Sequence, residues 1–290
     1  MKVTGFSFIK NAVKFDYPVV EAIKSVLPIC DDFIIAVGEC ADSTYDLINS
    51  IDQDKIRIVP TVWNEDLREG GQVLALETDK AFSHIPEDSD WAFYIQGDEL
   101  IHENYLDTVY ENMKRYKDDP RVDGLLFKYL HFYGSYDYVG ASSNWYKQEI
   151  RVVKNDKSIY SYRDAQGFRK GNDEKLNVKP IDAYIYHYGW VREPEAMQQK
   201  RAAFVRLYRE DNPVDTAALQ GDRYDYEKHV RELSLFEGEH PAIMEERIAR
   251  INWKFDYDIT FKKRSFKDIM KHILYRFFGI DLNYRNYKIV

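Results

Sequence analysis

Short apolar runs alternate with amphipathic stretches along the first half of the chain. An apolar run bounded by polar residues is typical of a buried strand, and apolar residues that recur every three or four positions are typical of a helix. The pattern predicts strands over 3–9, 33–38, 56–63 and the run that ends at Gln96-Gly97-Asp98-Glu99. It predicts helices between them, over 17–30, 44–51 and 73–82. Strands that alternate with helices form right-handed βαβ units, so this half is predicted to be α/β with a mainly parallel sheet.

The second half of the chain contains more residues that favour strands. A helix over 104–116 is followed by predicted strands over 122–133, 149–153 and 181–188. Residues 161–169 are loop-like in composition, and we expect that loop to continue in a polar run to Lys179. A further helix is predicted from Glu193. We therefore expect an α/β unit over 1–205 and a mainly helical C-terminal extension over 206–290.

Composition narrows the class of protein. The chain of 290 residues is 44% hydrophobic and 31% charged, which is typical of a soluble globular protein. Its net charge of −8 argues against a general nucleic-acid-binding protein, which needs a basic surface. No apolar run approaches the ~20 residues of a membrane span, and residues 1–10 lack the features of a signal peptide. We therefore expect a cytoplasmic protein whose two cysteines, Cys30 and Cys40, are free thiols.

The most informative segment is the apolar run 90–95 together with Gln96, Gly97, Asp98 and Glu99. In open α/β sheets, ligands bind beyond the carboxyl ends of the strands. Carboxylates placed there can hold a divalent cation through oxygen ligands, and phosphate groups can complete its coordination. The alternative is a strand followed by an ordinary acidic turn. Taken alone, the segment is compatible with both a metal–phosphate site and such a turn.

Four features follow one another along the α/β unit. The first strand leads to Asn11, and the second strand leads to the turn Asp42-Ser43-Thr44. Gln96-Gly97-Asp98 follows a later strand, and His187 precedes a helix. In this order they resemble the family 2 glycosyltransferases of the GT-A fold, a class of enzymes that uses nucleotide-sugar donors. The resemblance implies a Rossmann-like, mainly parallel sheet flanked by helices.

The resemblance also implies which residues form the donor site. Gln96-Gly97-Asp98 takes the place of the family's DxD motif, so Asp98 is expected to bind Mn²⁺ or Mg²⁺ together with His187. The donor-site residues that it implies are Asn11, Asp42, Gln96, Asp98 and Glu99. Gln96 departs from the family pattern because it carries no charge, which leaves strict metal dependence open. Two alternatives also stay open, since Asp42 fits a helix N-cap and His187 fits an aromatic cluster.

The resemblance favours an inverting transferase, which needs a carboxylate to accept the proton of the acceptor hydroxyl. Asp164 is the candidate base, because it lies in a polar segment between the Asp98 motif and His187. Glu149 is the second candidate. The alternative for Asp164 is a structural ion pair with one of the neighbouring arginines.

The Ile-x-His-Tyr pattern at 185–188 is similar to that of bacterial lipopolysaccharide-core transferases. It implies transfer of a sugar from a nucleotide donor, with uridine diphosphate as the expected carrier, to a glycan or lipid-linked acceptor in surface polysaccharide synthesis. Two other classes stay open. A sugar nucleotidyltransferase needs a glycine-rich loop after the first strand, and the segment 8–12 has no glycine. A non-catalytic nucleotide- or glycan-binding protein is suggested by the uncharged Gln96.

A basic amphipathic stripe marks residues 261–278. Apolar residues recur there at helical spacing, and lysine and arginine side chains surround them, although the chain as a whole is acidic. Such a helix can lie on an anionic membrane surface, which would bring the protein to the inner face of the membrane. The alternative is that the stripe packs on the α/β unit while its lysines face solvent.

Overall fold

A computed structural model describes residues 1–52, 54–64, 66–67, 69–142, 145–208, 221–230, 232–260, 277 and 285–290. A large sheet with a parallel centre runs through the molecule, and helices flank it. The predicted α/β class with a mainly parallel central sheet is therefore confirmed.

The first half of the chain supplies the parallel centre of the sheet. Its elements are β1 (Val3–Ile9), α1 (Val19–Val26), β2 (Asp32–Gly38), α2 (Thr44–Asn49), β3 (Ile56–Thr61), α3 (Gln72–Ser83) and β4 (Trp91–Tyr94). The four strands are parallel and lie side by side in the order β3-β2-β1-β4. The strands and helices predicted for this half are all present, with ends that differ by a few residues.

The second half extends this sheet. Its elements are β5 (Glu99–Ile101), α4 (Leu106–Tyr116), β6 (Gly124–Tyr133), β7 (Tyr138–Gly140), β8 (Gln148–Lys154), β9 (Ile159–Tyr162), β10 (Gly167–Lys170), β11 (Glu174–Lys175), β12 (Asn177–Trp190) and α5 (Pro194–Tyr208). Strand β8 lies antiparallel between β4 and β6. Strand β12 runs parallel to β6 and antiparallel to β5, which brings the end of β12 beside the segment that follows β4.

The expected loop over 161–169 is wrong, because this segment belongs to the antiparallel hairpin of β9 and β10. Ile159 and Phe168 are buried in the core, so the short hairpin covers one side of the sheet. The Asp79 carboxylate fixes the hairpin to α3 by accepting a hydrogen bond from the backbone N–H of Ser161 at 2.6 Å. Burial raises the pKa of Asp79 to about 6. Each strand has only four residues, and buried and half-buried positions alternate only in β9, which is too short a pattern to stand out among charged neighbours.

Three of the parallel strands, β1, β2 and β4, are buried on both of their faces, whereas β3 is partly exposed. The side chain of Phe6 packs in one core cluster, and those of Val3 and Ile9 pack in another on the opposite face. Strands covered on both sides are apolar at nearly every position, which is why they appear as continuous apolar runs in the sequence. The predicted apolar face of α1 is also buried, with Val19 and Ile23 in the core.

The described C-terminal residues add small elements at the edges of the sheet. These are α6 (Tyr226–His229), β13 (Leu233–Leu235), α7 (Glu245–Ala249) and β14 (Lys288–Ile289). Strand β13 pairs with β7, and β14 pairs with β12. Tyr224, Tyr226 and Phe255 form a core cluster with Tyr133 and Met197, so this region packs on the α/β unit. The boundary between residues 205 and 206 stays a prediction.

The basic stripe at 261–278 lies outside the described residues, apart from Phe277. Its contact with a membrane stays a prediction for that reason. In the part of the chain that the structure describes, no helix has the length and apolar character needed to cross a membrane. Cys30 and Cys40 are unpaired, as expected.

Candidate active site

A cavity of about 720 Å³ lies beyond the carboxyl ends of β1 and β4. The segments that follow these strands form one wall, through residues that include Asn11, Gln96 and Asp98. Helix α5 forms the facing wall with Lys200, Arg201, Phe204 and Tyr208 among its contributions. The volume is in the range of small-molecule sites, ~300–1,000 Å³. The cavity lies where α/β sheets bind ligands, as the end of β4 predicted.

Asp98 is surrounded by cationic side chains. Its side chain is 8% exposed, and its Oδ2 atom lies 2.9 Å from Lys200 Nζ and 3.4 Å from Arg192 Nη2. Burial alone would raise the pKa of Asp98, yet Lys200, His187 and Arg192 hold it well below its usual value. Asp98 is therefore ionised at neutral pH, and positive charge surrounds it.

Arg192 is a fully buried cation that joins three segments of the site. Its Nε–H donates to the carbonyl of Phe15 at 2.8 Å, and its Nη1–H donates to that of Gly189 at 2.5 Å. The guanidinium also stacks on the ring of Tyr17, 4.5 Å from the centroid. These contacts fix Arg192 behind Asp98, so its charge is held in place rather than mobile.

Lys200 brings a second cation from α5. Its ammonium donates to Asp98 and, at 3.2 Å, to the carbonyl of Gly189. Burial and the nearby Arg192 lower the pKa of Lys200 to about 8, against the opposing effect of Asp98. At neutral pH the ammonium is still the main form.

His187 faces Asp98 with its Nε2 atom, 3.8 Å from Asp98 Oδ1. Its Nδ1 atom lies 2.9 Å from Nδ1 of His131, whose Nε2 lies 2.8 Å from the carbonyl of Tyr146. Burial lowers the pKa of both histidines, most strongly that of His131, so both rings are neutral at pH 7. The carbonyl only accepts, so His131 donates through Nε2 and accepts through Nδ1. His187 then carries its proton on Nδ1 and turns the lone pair of Nε2 toward Asp98.

Gly189 leaves room for this arrangement. A Cβ atom at position 189 would lie 2.3 Å from His187 Nε2 and 3.3 Å from Asp98 Oδ2. Any side chain there would push the imidazole away from Asp98. The glycine thus keeps the space between β12 and the Asp98 segment clear.

These residues fit a divalent cation poorly. Asp98 and His187 offer two ligand atoms, and the described residues contain no group of three histidine, cysteine or acidic side chains able to hold a metal. Oδ2 of Asp98 is already paired with Lys200 and Arg192, whose charges oppose the entry of a second cation. Because Mn²⁺ or Mg²⁺ also takes water and phosphate oxygens as ligands, it is the two cations at Asp98, rather than the number of protein ligands, that make the metal site implied for Asp98 and His187 a poor fit.

Glu99 points away from the cavity, although it follows Asp98 in the chain. It is fully buried, and Arg151 donates to both of its carboxylate oxygens at 2.7 Å. The hydroxyl of Tyr129 donates to it at 2.9 Å, and the backbone N–H of Gln96 at 3.2 Å. The structure does not bring Glu99 to the cavity wall.

Asp164 lies on the cavity wall, at the tip of the β9–β10 hairpin. The residues on either side, Arg163 and Ala165, have φ angles of 58° and 62°, which are strained for residues other than glycine. Backbone strain of this kind is often kept at functional sites. The hydroxyl of Tyr208 donates to Asp164 Oδ2 at 2.7 Å, and Gln96 Nε2 donates to the carbonyl of Ala165 at 3.1 Å. The tip of the hairpin is thus fixed to both walls of the cavity.

Asn11 and Asp42 connect the loops that follow β1 and β2. Asn11 has a φ of 55° and lines the cavity, and its Oδ1 accepts from the N–H of Ala41 at 2.8 Å. Asp42 accepts from the N–H groups of Thr44 at 3.0 Å and Lys14 at 2.7 Å. It lies outside the cavity lining, and it precedes Ser43, the N-cap residue of α2, so its contacts join the loop after β1 to the start of α2 rather than cap the helix.

Glu149, the second candidate base, lies inside the sheet. It is 2% exposed, and its Oε1 accepts from the N–H of Ile150 at 3.0 Å. Burial raises the pKa of Glu149 to about 7. It is absent from the cavity lining that the described residues form.

Sequence reasoning missed the contribution of α5. The helix was predicted, and Lys200, Phe204 and Tyr208 recur at every fourth residue on one of its faces. A face that mixes basic and aromatic residues is a signal of a lined cavity, but it does not show which partner the lysine meets. Arg201 Nη1, from this helix, and Trp63 Nε1 are buried and have no hydrogen-bond partner among the described residues.

The cavity is positively charged within an acidic chain. In the described part of the chain, its lining includes the basic side chains Lys10, Lys14, Lys200 and Arg201 but only two carboxylates, Asp98 and Asp164. The chain as a whole carries a net charge of −8. A local excess of cations in the cavity of such a chain favours an anionic ligand.

Comparison with known proteins gives weak likenesses. No protein-family model matches the sequence, and no curated protein matches it. TarS of S. aureus aligns with 14% identity and a TM-score of 0.41, over 70% of this chain and 39% of that chain. A TarS fragment, 1–349, in complex with UDP aligns with 13% identity and a TM-score of 0.41, over 76% and 70% of the two chains.

A nucleotidyl-transfer protein appears among the likenesses as well. The 4-diphosphocytidyl-2C-methyl-D-erythritolsynthase of Anaerococcus prevotii aligns with 12% identity and a TM-score of 0.39, over 71% of this chain and 94% of that chain. This chain spans about two fifths of the length of the longer TarS chain. At such identities and TM-scores, these similarities do not place the chain in a family.

Proposed function

We propose that the protein is a glycosyltransferase that moves a sugar from a nucleotide-sugar donor to a glycan or glycolipid acceptor. The observation that carries the proposal is a cavity that combines buried cations around Asp98 with a separate carboxylate, Asp164. A diphosphate leaving group needs the cations, and an acceptor hydroxyl needs the carboxylate. The order of the sequence features supports the same class.

The donor's diphosphate would lie against Lys200 and Arg201. Lys200 is held by Asp98, and Arg201 has a buried Nη1 atom without a partner among the described residues. When the bond between the sugar and the phosphate breaks, its electron pair goes to the phosphate oxygen. Fixed cations at that place stabilise the growing negative charge without first having to reorganise.

The nucleoside would extend toward the loops after β1 and β3. Asn11 and Trp63 line this side of the cavity, and the indole N–H of Trp63 is a buried donor without a partner among the described residues. Gln96 would contribute a neutral amide. We propose a uridine diphosphate carrier, as the resemblance implies.

Asp164 would act as the base of an inverting transfer. The acceptor hydroxyl gives its proton to the carboxylate, its oxygen attacks the anomeric carbon, and the nucleoside diphosphate leaves from the opposite side. Tyr208 donates to Oδ2 of Asp164, so the other oxygen is left to receive the proton. Tyr146 and Trp190 also line the cavity and offer faces on which an acceptor sugar can stack.

The test is to identify the released product. We would incubate the protein with uridine, guanosine and thymidine diphosphate sugars, with glycan and glycolipid acceptors, and measure nucleoside diphosphate release. Release together with a glycosylated acceptor is expected. Pyrophosphate release from a nucleoside triphosphate and a sugar phosphate would instead identify a nucleotidyltransferase, and binding without turnover would identify a binding protein.

A further inference from the structure

We propose that Lys200 takes the place of a divalent cation in this site, so that the donor's diphosphate is bound by the protein's own ammonium group. The inference rests on the proposed function and deepens it, because it says how the leaving group is held. It starts from the disagreement between the metal site that the sequence implied and the cations that the structure places at Asp98.

The Lys200 ammonium lies in the position of a cation bound by Asp98. Lys200 Nζ lies 2.9 Å from Asp98 Oδ2, which is where a cation held by that carboxylate would be. The other oxygen of the carboxylate, Oδ1, lies 3.8 Å from Nε2 of His187. The ammonium is therefore paired with the carboxylate that the sequence assigned to a metal.

Lys200 keeps the capacity to bind a ligand. An ammonium group has three N–H donors. Asp98 receives one and the carbonyl of Gly189 receives another, which leaves one donor for a phosphate oxygen in the cavity that Lys200 lines. Charge-assisted hydrogen bonds to phosphate are about twice as strong as neutral ones.

The positive charges of Lys200 and Arg192 are held in fixed positions. The Lys200 side chain is 13% exposed, and its ammonium lies over the rings of Tyr17 and Phe204, 4.8 and 5.5 Å from their centroids. Arg192, on the other side of the same carboxylate oxygen, is anchored by backbone carbonyls. The positive charge is thus organised before any ligand arrives, as a bound metal's would be.

A divalent cation would compete with Lys200 for the carboxylate of Asp98. A divalent ion that enters beside Asp98 must displace Lys200 and approach Arg192, and both charges oppose it. Removal of the Lys200 ammonium would leave one oxygen of Asp98 and the lone pair of His187 Nε2 open to the same space. The site would then respond to metal, which the unchanged protein would not.

The experiment compares nucleotide binding in three proteins. Wild type, Lys200→Met and Lys114→Met are titrated with uridine diphosphate, guanosine diphosphate and inorganic pyrophosphate by calorimetry, in EDTA and in Mn²⁺. Lys114→Met is the matched control, since Lys114 is an exposed residue of α4 that lies 3.9 Å from Glu111. Thermal unfolding confirms that each variant is folded, and Lys200→Arg tests whether a different cation suffices.

Wild type and Lys114→Met are expected to bind equally well in EDTA and in Mn²⁺. Lys200→Met is expected to lose about tenfold or more in affinity in EDTA, the size of one lost charge-assisted hydrogen bond. Mn²⁺ should restore part of that loss, and electron paramagnetic resonance should detect bound Mn²⁺ in the complex of Lys200→Met but not in that of wild type. Lys200→Arg should retain binding in EDTA.

Two results would overturn the inference while leaving the proposed function intact. One is binding by wild type that requires Mn²⁺, and the other is unchanged affinity of folded Lys200→Met in EDTA. A different result bears on the proposed function itself. If wild type binds none of the three probes in either condition, the cavity is not a diphosphate site, and the inference fails with the function on which it rests.

Discussion

Asp98 and Glu99 are neighbours in the chain, yet they belong to two different charged regions. Glu99 forms a closed cluster with Arg151, in which its carboxylate accepts two hydrogen bonds from the guanidinium, one from Tyr129 and one from the backbone of Gln96. Asp98 forms an open cluster with Lys200 and Arg192, on the wall of the cavity. One region is satisfied without a ligand, whereas the other carries more positive than negative charge.

The difference shows that the partners of a buried carboxylate indicate its role. A carboxylate whose oxygens are all used by one rigid cation and its neighbours is part of the framework. A cluster with an excess cation beside a cavity can bind an anion. The Asp98 cluster is therefore a candidate binding site, and the Glu99 cluster is not. The closed cluster still affects the site, because Arg151 Nη1 donates to the carbonyl of Gln166 at 3.0 Å and so supports the hairpin tip that carries Asp164.

The largest effect is expected from opening the closed cluster. Arg151→Met leaves the Glu99 carboxylate buried without its cation, which costs about 3–5 kcal/mol of unfolding free energy. Urea unfolding at pH 7 measures the loss. Arg121→Met is the control, because the ion pair of Arg121 with Asp119 lies on the surface, and it should leave the midpoint unchanged.

The double variant Glu99→Gln with Arg151→Met sharpens this test. It removes both charges, so it should recover part of the stability that Arg151→Met loses. An Arg151→Met protein as stable as wild type would contradict the description of the pair as framework.

The second effect shows whether Asp164 acts as the base or only supports the structure of the hairpin tip. Asp164→Asn keeps the shape of the side chain and its contact with Tyr208, but it removes the proposed base. Turnover should fall by about 10²–10⁴-fold while the affinity for the nucleotide donor is retained. Steady-state kinetics and calorimetry measure the two quantities. Asp173→Asn, an exposed carboxylate near Arg169, is the control, and wild-type turnover in Asp164→Asn would remove it as the base.

The third effect concerns Glu149, a buried carboxylate in β8. Its pKa is raised by burial from 4.5 to about 7 in the folded protein, so the folded state holds this proton where the unfolded state has lost it. Stability should therefore fall as pH rises from about 4.5 to 7, by up to about 3 kcal/mol.

Glu149→Gln should remove this fall, so the variant should be more stable than wild type at pH 8 and similar to it near pH 4.5. Urea unfolding at several pH values measures the slope, and Glu111→Gln on the surface of α4 is the control. An identical pH dependence in wild type and Glu149→Gln would contradict the raised pKa. Where the variant is fully folded, its turnover should equal that of wild type, because Glu149 lies outside the cavity lining.

The smallest effect concerns the space between the open cluster and β12. The methyl group of Gly189→Ala would lie 2.3 Å from His187 Nε2, so the imidazole must turn and lose its alignment with Asp98. Diphosphate affinity should fall by about tenfold, the equivalent of ~1.4 kcal/mol. Gly171→Ala is the control, since it strains a backbone with a φ of 53° but meets no atom within 4 Å. Equal affinities in the two variants would show that Gly189 has no role at the cavity.

The sequence predicted the fold better than the chemistry of the site. The parallel strands β1 and β2 could be recognised because both of their faces are buried, which makes Val3–Ile9 and Asp32–Gly38 nearly continuous apolar runs. The β9–β10 hairpin could not, because its alternation is short and Arg163 and Asp164 interrupt it. Its position depends on the distant Asp79, which no local pattern shows.

The same limit applies to the charges. The end of β4 predicted a site, but the partners of its two acids lie far along the chain, Arg151 for Glu99 and Lys200 for Asp98. The sequence placed both acids in the expected donor site and assigned the metal to Asp98 but not to Glu99. Their roles differ because tertiary contacts, which follow from the pairing of β5 with β12 and the packing of α5, decide which side chain meets which cation.

The most direct test of the account is the thermal unfolding of the protein with uridine diphosphate, guanosine diphosphate or uridine, in EDTA. The open cluster at Asp98 is proposed to bind the diphosphate. A ligand at about 100 times its dissociation constant adds ~2.7 kcal/mol, which should raise the melting temperature by several degrees. We predict this rise with one of the nucleoside diphosphates and none with uridine, which lacks the phosphates. No rise with either diphosphate, in EDTA or after addition of Mn²⁺, would contradict the account.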